Sequence, residues 1–276
     1  MKKVLTLLLL LAGVSSLLSG CYTNPVTGRK SLVLLTQGDE AKLGAESFQA
    51  IRQKEKVSRD PAANARVQRI GRRIAEAVGN EMPGAKWEFV VFDSKELNAF
   101  ALPGGKVGVY TGLMQVAEND AELATVMGHE IGHVIARHGA ERMSEAMVIA
   151  GIGAVGAAVV EAKTDDPATR QLFALAYGAG TTLGRVLPHS RGNETEADRM
   201  GAIYAARAGY DPRASITFWE KMSAKKGAAA SSGSKLDALL STHPSDGQRI
   251  AQLRALMPQV VSIYEKARAA RSAQPD

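Results

Sequence analysis

Cysteine is nearly missing from this 276-residue chain. Cys21 stands alone, so no disulfide can close within one chain and stability must come from packing. A long apolar span is missing from the interior as well. The most apolar inner stretch, residues 146–160 ("AMVIAGIGAVGAAVV"), runs for about fifteen residues, short of the roughly twenty that a bilayer core requires. Its many Gly and Ala residues suit a buried or partner-facing helix better than a membrane span. A strong charge of one sign is missing too. The formal charge of +6 includes Lys2 and Lys3, and removing both leaves 6 − 2 = +4. The basic runs "VQRIGRR" and "YEKARAARS" alternate with apolar positions at helical spacing and read as solvated helix faces, which speaks against a nucleic-acid-binding protein. No internal repeat is visible.

At 45% hydrophobic residues the chain can bury a sizeable core, and one globular domain with short appendages is expected. The opening "MKKVLTLLLLLAGVSSLLSGC" has a charged start, an apolar run of signal-peptide length and a small-residue cleavage zone, so export from the cytoplasm is expected. Leu18-Ser19-Gly20-Cys21 resembles the bacterial lipobox, which would leave Cys21 as a lipid-bearing N-terminus. The alternatives are an ordinary signal peptide with a spare thiol or an uncleaved anchor helix. Tyr22 rather than Asp after the cysteine favours, by resemblance to bacterial lipoproteins, the periplasmic face of the outer membrane. Residues 1–20 thus read as signal peptide, and 21–36, with Pro25 and Gly28, as a lipidated, extended tether.

The rest reads as a predominantly helical α+β domain with a small sheet. Apolar spacing predicts helices over 38–54 and 61–79, the latter with Val67, Ile70, Ile74 and Val78 on one stripe. The period then changes. "WEFVVFDS" and "KVGVYTG" read as strands, with "LNAFALPGG" a third extended piece closing in a Pro-Gly-Gly turn, together a hairpin-like sheet. Helices are expected at 119–138, 141–160, 168–186, 193–208 and 212–225. "KGAAASSGSK" has the composition of a mobile loop, and a helix from Pro244 leads into a helical basic tail, 257–276.

The chemistry gathers at "ATVMGHEIGHVIARHG", residues 124–139. On a helix, each residue advances about 100°, so His129 and His133 lie about 40° apart and one turn apart in height. Both imidazoles can reach one ion. Glu130 sits beside them, where a carboxylate can hold a water instead of the metal. That is the division of labour of a hydrolytic zinc site. His138 is expected to face away, about 180° round from His129, as a structural or surface residue near the helix C-terminus. A metzincin would need Gly at 136 and His at 139, but the chain has Ala136 and Gly139. In "SRGNETEADRM", Glu194 and Asp198 are spaced i, i+4, so Glu194 could ligate while Asp198 holds a ligand histidine from behind. An acidic first turn answering the helix dipole is the alternative. Glu196, about 200° round from Glu194, is the poorer ligand.

"HEIGH", "ETEAD", the upstream "NAFALPGG" and the downstream "THPSDGQRI" together resemble the HtpX and CAAX-prenyl-protease superfamily of gluzincin metallopeptidases, over about residues 25 to 255. More narrowly, they resemble a soluble lipoprotein branch in the bacterial envelope. The resemblance implies a zincin-like metallopeptidase domain over 37–256 and one zinc ion per chain. Zinc would be held by His129, His133 and Glu194, with Glu130 as general base. It also implies an extended polypeptide substrate beside the active-site sheet, where Asn98, Ala99 and Phe100 could offer a strand edge; plain core packing is the alternative. Membrane-embedded members carry several transmembrane helices that are not found here, so prenylated substrates are not implied.

His243, pinned before Pro244, could address an oxyanion or close over the metal. Arg249 could polarise the substrate carbonyl or pair with a carboxylate. A helix-entry turn and a structural salt bridge are the plainer readings, and His189 beside Pro188 is a weaker candidate. The expected function is a zinc endopeptidase acting on unfolded or misassembled envelope proteins. Its rival is an outer-membrane assembly factor or chaperone, in contact with the assembly machinery, whose protease site is latent or self-inhibited.

Overall fold

The computed structural model describes residues 21–149, 167, 169–170, 190–232, 243 and 247–273. The chain opens with an antiparallel pair, β1 (Cys21–Thr23) and β2 (Lys30–Leu32), in which Cys21 faces Leu32. The extended tether expected here is therefore a hairpin sewn onto the domain. Asn24 closes it, its Oδ1 accepting from the backbone N–H of Val26 and Thr27 in an Asx turn.

Two helices follow. In α1 (Gln37–Lys54), Thr36 caps the start by accepting from the Asp39 N–H. In α2 (Pro61–Val78), Asp60 accepts from the N–H groups of Ala62 and Ala63, and Pro61 occupies the first turn, where its missing N–H costs nothing. The stripe Val67, Ile70, Ile74 and Val78 is buried as its spacing requires. The small sheet comprises β3 (Glu88–Phe92), β4 (Ala99–Leu102) and β5 (Lys106–Tyr110), in the order β3-β5-β4. β4 and β5 form the expected hairpin, turned by Gly104 and Gly105 at φ 82° and 83°. β3 pairs in parallel with β5 instead of with β4. β4 is left at the sheet edge, packed on the helix that carries the histidines.

That helix, α4 (Asp120–Ile135), follows the short α3 (Thr111–Val116), and α5 (His138–Ile149) comes next. The predicted helix over 119–138 stops early because Arg137 takes a left-handed φ of 58°. Arg137 bears that strain while donating to the Glu40 carboxylate and to the Leu35 carbonyl, with its guanidinium 5.0 Å over the Tyr22 ring. Next come α6 (Arg191–Arg207), capped by Ser190, α7 (Ala214–Ser232) and α8 (Gly247–Ser272). Residues 226–232, expected as part of a mobile loop, continue α7, in keeping with the helix propensity of their alanines. The tail is no separate appendage. α8 runs through Pro258 without ending, and Val260 is buried against Ala202, Ile203 and Ala206 of α6.

Among the described residues, no helix is long and apolar enough to cross a membrane. The signal peptide, most of the 146–160 stretch, the helix expected at 168–186 apart from two of its residues, and His189 lie outside the described residues.

Candidate metal centre

The site is built where α4 and α6 touch most closely. A methyl group on Gly201 would lie 2.7 Å from the His129 backbone nitrogen, and one on Gly128 would lie 2.9 Å from the Gly201 carbonyl oxygen. Only glycine at both positions lets the two backbones approach so far. The approach brings Glu194 and Asp198 of α6 against His129 and His133 of α4.

The His129 and His133 Nε2 atoms are 3.0 Å apart. Glu194 reaches both, with Oε2 3.5 Å from His129 Nε2 and Oε1 3.3 Å from His133 Nε2. His243 joins them, its Nδ1 2.9 Å from Glu194 Oε1 and 3.2 Å from His129 Nε2. Ligand atoms of these four buried residues all lie within 4.8 Å of one another, the one such cluster among the described residues.

The outer hydrogen bonds decide which ring nitrogens carry protons. Asp198 Oδ1 lies 3.0 Å from His129 Nδ1 and Arg249 Nη2 lies 3.3 Å from the same nitrogen; the nearer carboxylate only accepts, which favours the proton on Nδ1 and the Nε2 lone pair toward the centre. On the other side, Glu196 Oε2 accepts from His138 Nε2 at 2.9 Å. Neutral His138 then presents Nδ1 as an acceptor, 2.8 Å from His133 Nδ1. His133 donates there, and its Nε2 lone pair also faces inward. Two inward lone pairs beside a carboxylate suit a cation, and a His-His-Glu donor set is one that zinc accepts. Although burial pushes His129 down, Asp198 and Glu194 raise it to about 9, so without an ion the ring carries a second proton, on Nε2, where a metal would take its place. Burial pushes His133 well below its ordinary value, which keeps it neutral. Glu194 would be raised by burial, but His243, Arg249 and the two histidines hold it well below the ordinary carboxylate range.

Arg249 is only 4% exposed, lies 3.6 Å over the Trp219 ring, and binds both acids of α6. Its Nε and Nη2 donate to Asp198 at 2.5 and 2.8 Å, and its Nη1 lies 2.8 Å from Glu194 Oε2. It clamps Glu194, which belongs to the cluster, and Asp198, which backs His129. Glu130 is buried, and its Oε1 has no hydrogen-bond partner, with His243 Nε2 3.5 Å away. Burial raises its pKa. Asn98, Ala99 and Phe100 are buried at the start of the edge strand.

His138 requires a correction. The helical spacing has it facing away from His129 as a structural or surface residue; it is structural and fully buried, but it turns toward the site and touches His133. The helical count fails because α4 ends at Ile135, and the turn at Arg137 carries the chain back so that His138 opens α5. Two contributors went unseen in the sequence. Trp219 carries only the signal of an ordinary core aromatic, and the pairing of Glu196 with His138 depends on the break at Arg137.

A helix pair carrying His-Glu-x-x-His and a remote glutamate beside a small mixed sheet defines a zincin-like metallopeptidase centre. The sequence profile of peptidase family M48 matches residues 61–257. The chain belongs to that family. It is 37% identical over 201 residues to the mitochondrial metalloendopeptidase OMA1 of Arabidopsis thaliana, covering 72% of this chain and 38% of that protein. With OMA1 of Schizosaccharomyces pombe it shares 36% over 193 residues, 70% of this chain and 52% of the relative. It is also 29% identical over 250 residues to the beta-barrel assembly-enhancing protease of Escherichia coli K12, covering 88% of this chain and 50% of the relative. The chain thus spans about half, or less, of the length of these relatives.

Proposed function

We infer that the protein is a zinc-dependent endopeptidase of the bacterial envelope that cleaves unfolded or misassembled envelope proteins. The observation that carries this reading is the convergence of His129, His133 and Glu194 beside a buried Glu130 oxygen that lacks a hydrogen-bond partner. Bound zinc would supply a Lewis acid that acidifies water and polarises a carbonyl. Glu130 Oε1 takes the proton of the attacking water and returns it to the leaving amine, and burial suits it to do both by bringing its pKa toward neutrality. Asp198 fixes the His129 ring, and Arg249 fixes Asp198 and Glu194. Among the described residues β4 pairs only with β5, and its other side would offer an edge to an extended peptide, with Asn98, Ala99 and Phe100 at its start.

The reading extends to location. The lipobox-like Leu18–Cys21 and the exposed thiol of Cys21 support a lipid anchor at the periplasmic face of the outer membrane. Because Cys21 lies in β1, such an anchor would hold the domain close to the membrane. The likeness to a beta-barrel assembly-enhancing protease supports the assembly machinery as a neighbour and a source of substrates.

The position of His243 favours a second element of the same reading. Its Nδ1 lies among the ligand atoms, 3.2 Å from His129 Nε2 and 2.9 Å from Glu194 Oε1. We infer that the resting enzyme is latent, with the His243 imidazole in the cluster of ligand atoms.

The test is digestion of an unfolded protein by the zinc-loaded full chain and by its Glu130→Gln variant. The variant is expected to keep zinc and to lose at least about a hundredfold in rate. Undiminished cleavage would remove Glu130 from its role.

A further inference from the structure

The N-terminal hairpin reaches into the metal centre from behind. Glu196 stands at the junction. Its Oε1 accepts from Asn24 Nδ2 at 2.8 Å and from Thr27 Oγ1, while its Oε2 accepts from Arg29 Nε and, at 2.9 Å, from His138 Nε2. Arg29 is itself anchored by a two-pronged pair to Glu141 of α5, at 2.6 and 2.8 Å. Tyr22 adds a further tie, its hydroxyl donating to the Ile135 carbonyl at 2.5 Å, two residues past His133. Three hairpin side chains thus converge on one buried carboxylate, which lies one imidazole away from a metal-facing histidine.

We propose that the Cys21–Leu32 hairpin is a positioning element of the metal centre, acting through Glu196 and His138 to orient His133 so that its Nε2 lone pair faces the ion. The proposal rests on the metallopeptidase reading and adds to it a dependence that the ligands do not reveal. The physical reason is directional. Glu196 can only accept, so it fixes the proton of His138 on Nε2; His138 then can only accept at Nδ1, which fixes the proton of His133 on Nδ1. The hairpin holds Glu196 in the one position that serves this chain. With those donors gone, the carboxylate is free to turn from His138, and the ring of His133 loses its restraint. Outer partners of this kind commonly account for about 10–100-fold in metal affinity.

The experiment measures zinc dissociation by chelator competition on the full chain, together with the visible spectrum of the cobalt-substituted protein at saturating metal. Unfolding of each metal-free variant is followed in parallel, and affinities are compared below its transition. His138→Leu is expected to weaken zinc about 10–100-fold. His138→Asn, whose Oδ1 can stand where Nδ1 stood and accept from His133, is expected to bind close to the parent. The double variant Thr27→Val with Arg29→Met removes two of the three hairpin contacts to Glu196 and is expected to weaken zinc about threefold or more. It should also shift the cobalt spectrum, which a merely less stable fold does not move once metal is saturating.

If the parent protein binds zinc and these variants match it in affinity and spectrum, the proposal falls while the metallopeptidase reading stands. If His138→Leu is impaired and the hairpin double variant is not, the hairpin has no positioning role. A parent chain that fails to bind zinc overturns both.

Discussion

Each metal-facing residue has a partner that aims it, and those partners explain more than the ligands do. Asp198 aims His129, His138 aims His133, and Arg249 holds Asp198 and Glu194 while stacked on Trp219. His243 has a different standing, because it touches Glu194, His129 and the neighbourhood of Glu130 at once. If it closes the resting site, His243→Ala should speed digestion of an unfolded substrate, by about tenfold for each 1.4 kcal/mol by which the closed state is favoured. Turnover of a quenched fluorescent protein substrate checks this. A fall in rate would instead give the imidazole a direct part in stabilising the substrate. Much of this centre was legible in the sequence, since helical spacing alone places His129, His133 and Glu130, and the i, i+4 pair Glu194 and Asp198 follows the same rule. His138 was not legible. Its position depends on a left-handed residue at 137, and nothing in the side chain of an arginine announces that conformation.

Among the elements, the contact between α4 and α6 sets the geometry. Gly128 and Gly201 permit it, and a side chain on either has no open volume to enter. Gly201→Ala should therefore force the helices apart, destabilise the protein by about 1–3 kcal/mol and weaken zinc binding with it. Denaturant unfolding and chelator competition on the same variant check both effects. Unchanged values would show that the helices can relax without moving the ligands. Glycines in helices read from sequence as mild defects, and their use becomes visible only when the partner helix is in place. The sheet shows the same division. The β4–β5 hairpin follows from Pro103, Gly104 and Gly105, whereas the parallel pairing of β3 with β5 is a long-range choice that no local pattern encodes.

The two ends of the described chain both close onto the helices that carry the site. The hairpin at Cys21–Leu32 locks onto α5 and α6, and the second half of α8 covers α6 through Val260. A domain with a basic tail would tolerate loss of residues after 256. Here Val260→Ala should cost about 1–3 kcal/mol, because it removes two buried methyl groups from a cluster of only four buried residues. Thermal unfolding of the purified chain would register it, and an unmoved transition would return the tail to the status of an appendage. Segments far apart in sequence thus meet at one point, and the proof lies in the metal itself. The most direct measurement is zinc content per chain, by elemental analysis after exhaustive dialysis, for the parent protein and for Glu194→Ala. One zinc per parent chain and a large loss in the variant are expected; a variant that retains its full zinc would contradict the remote glutamate as ligand, and with it the centre described above.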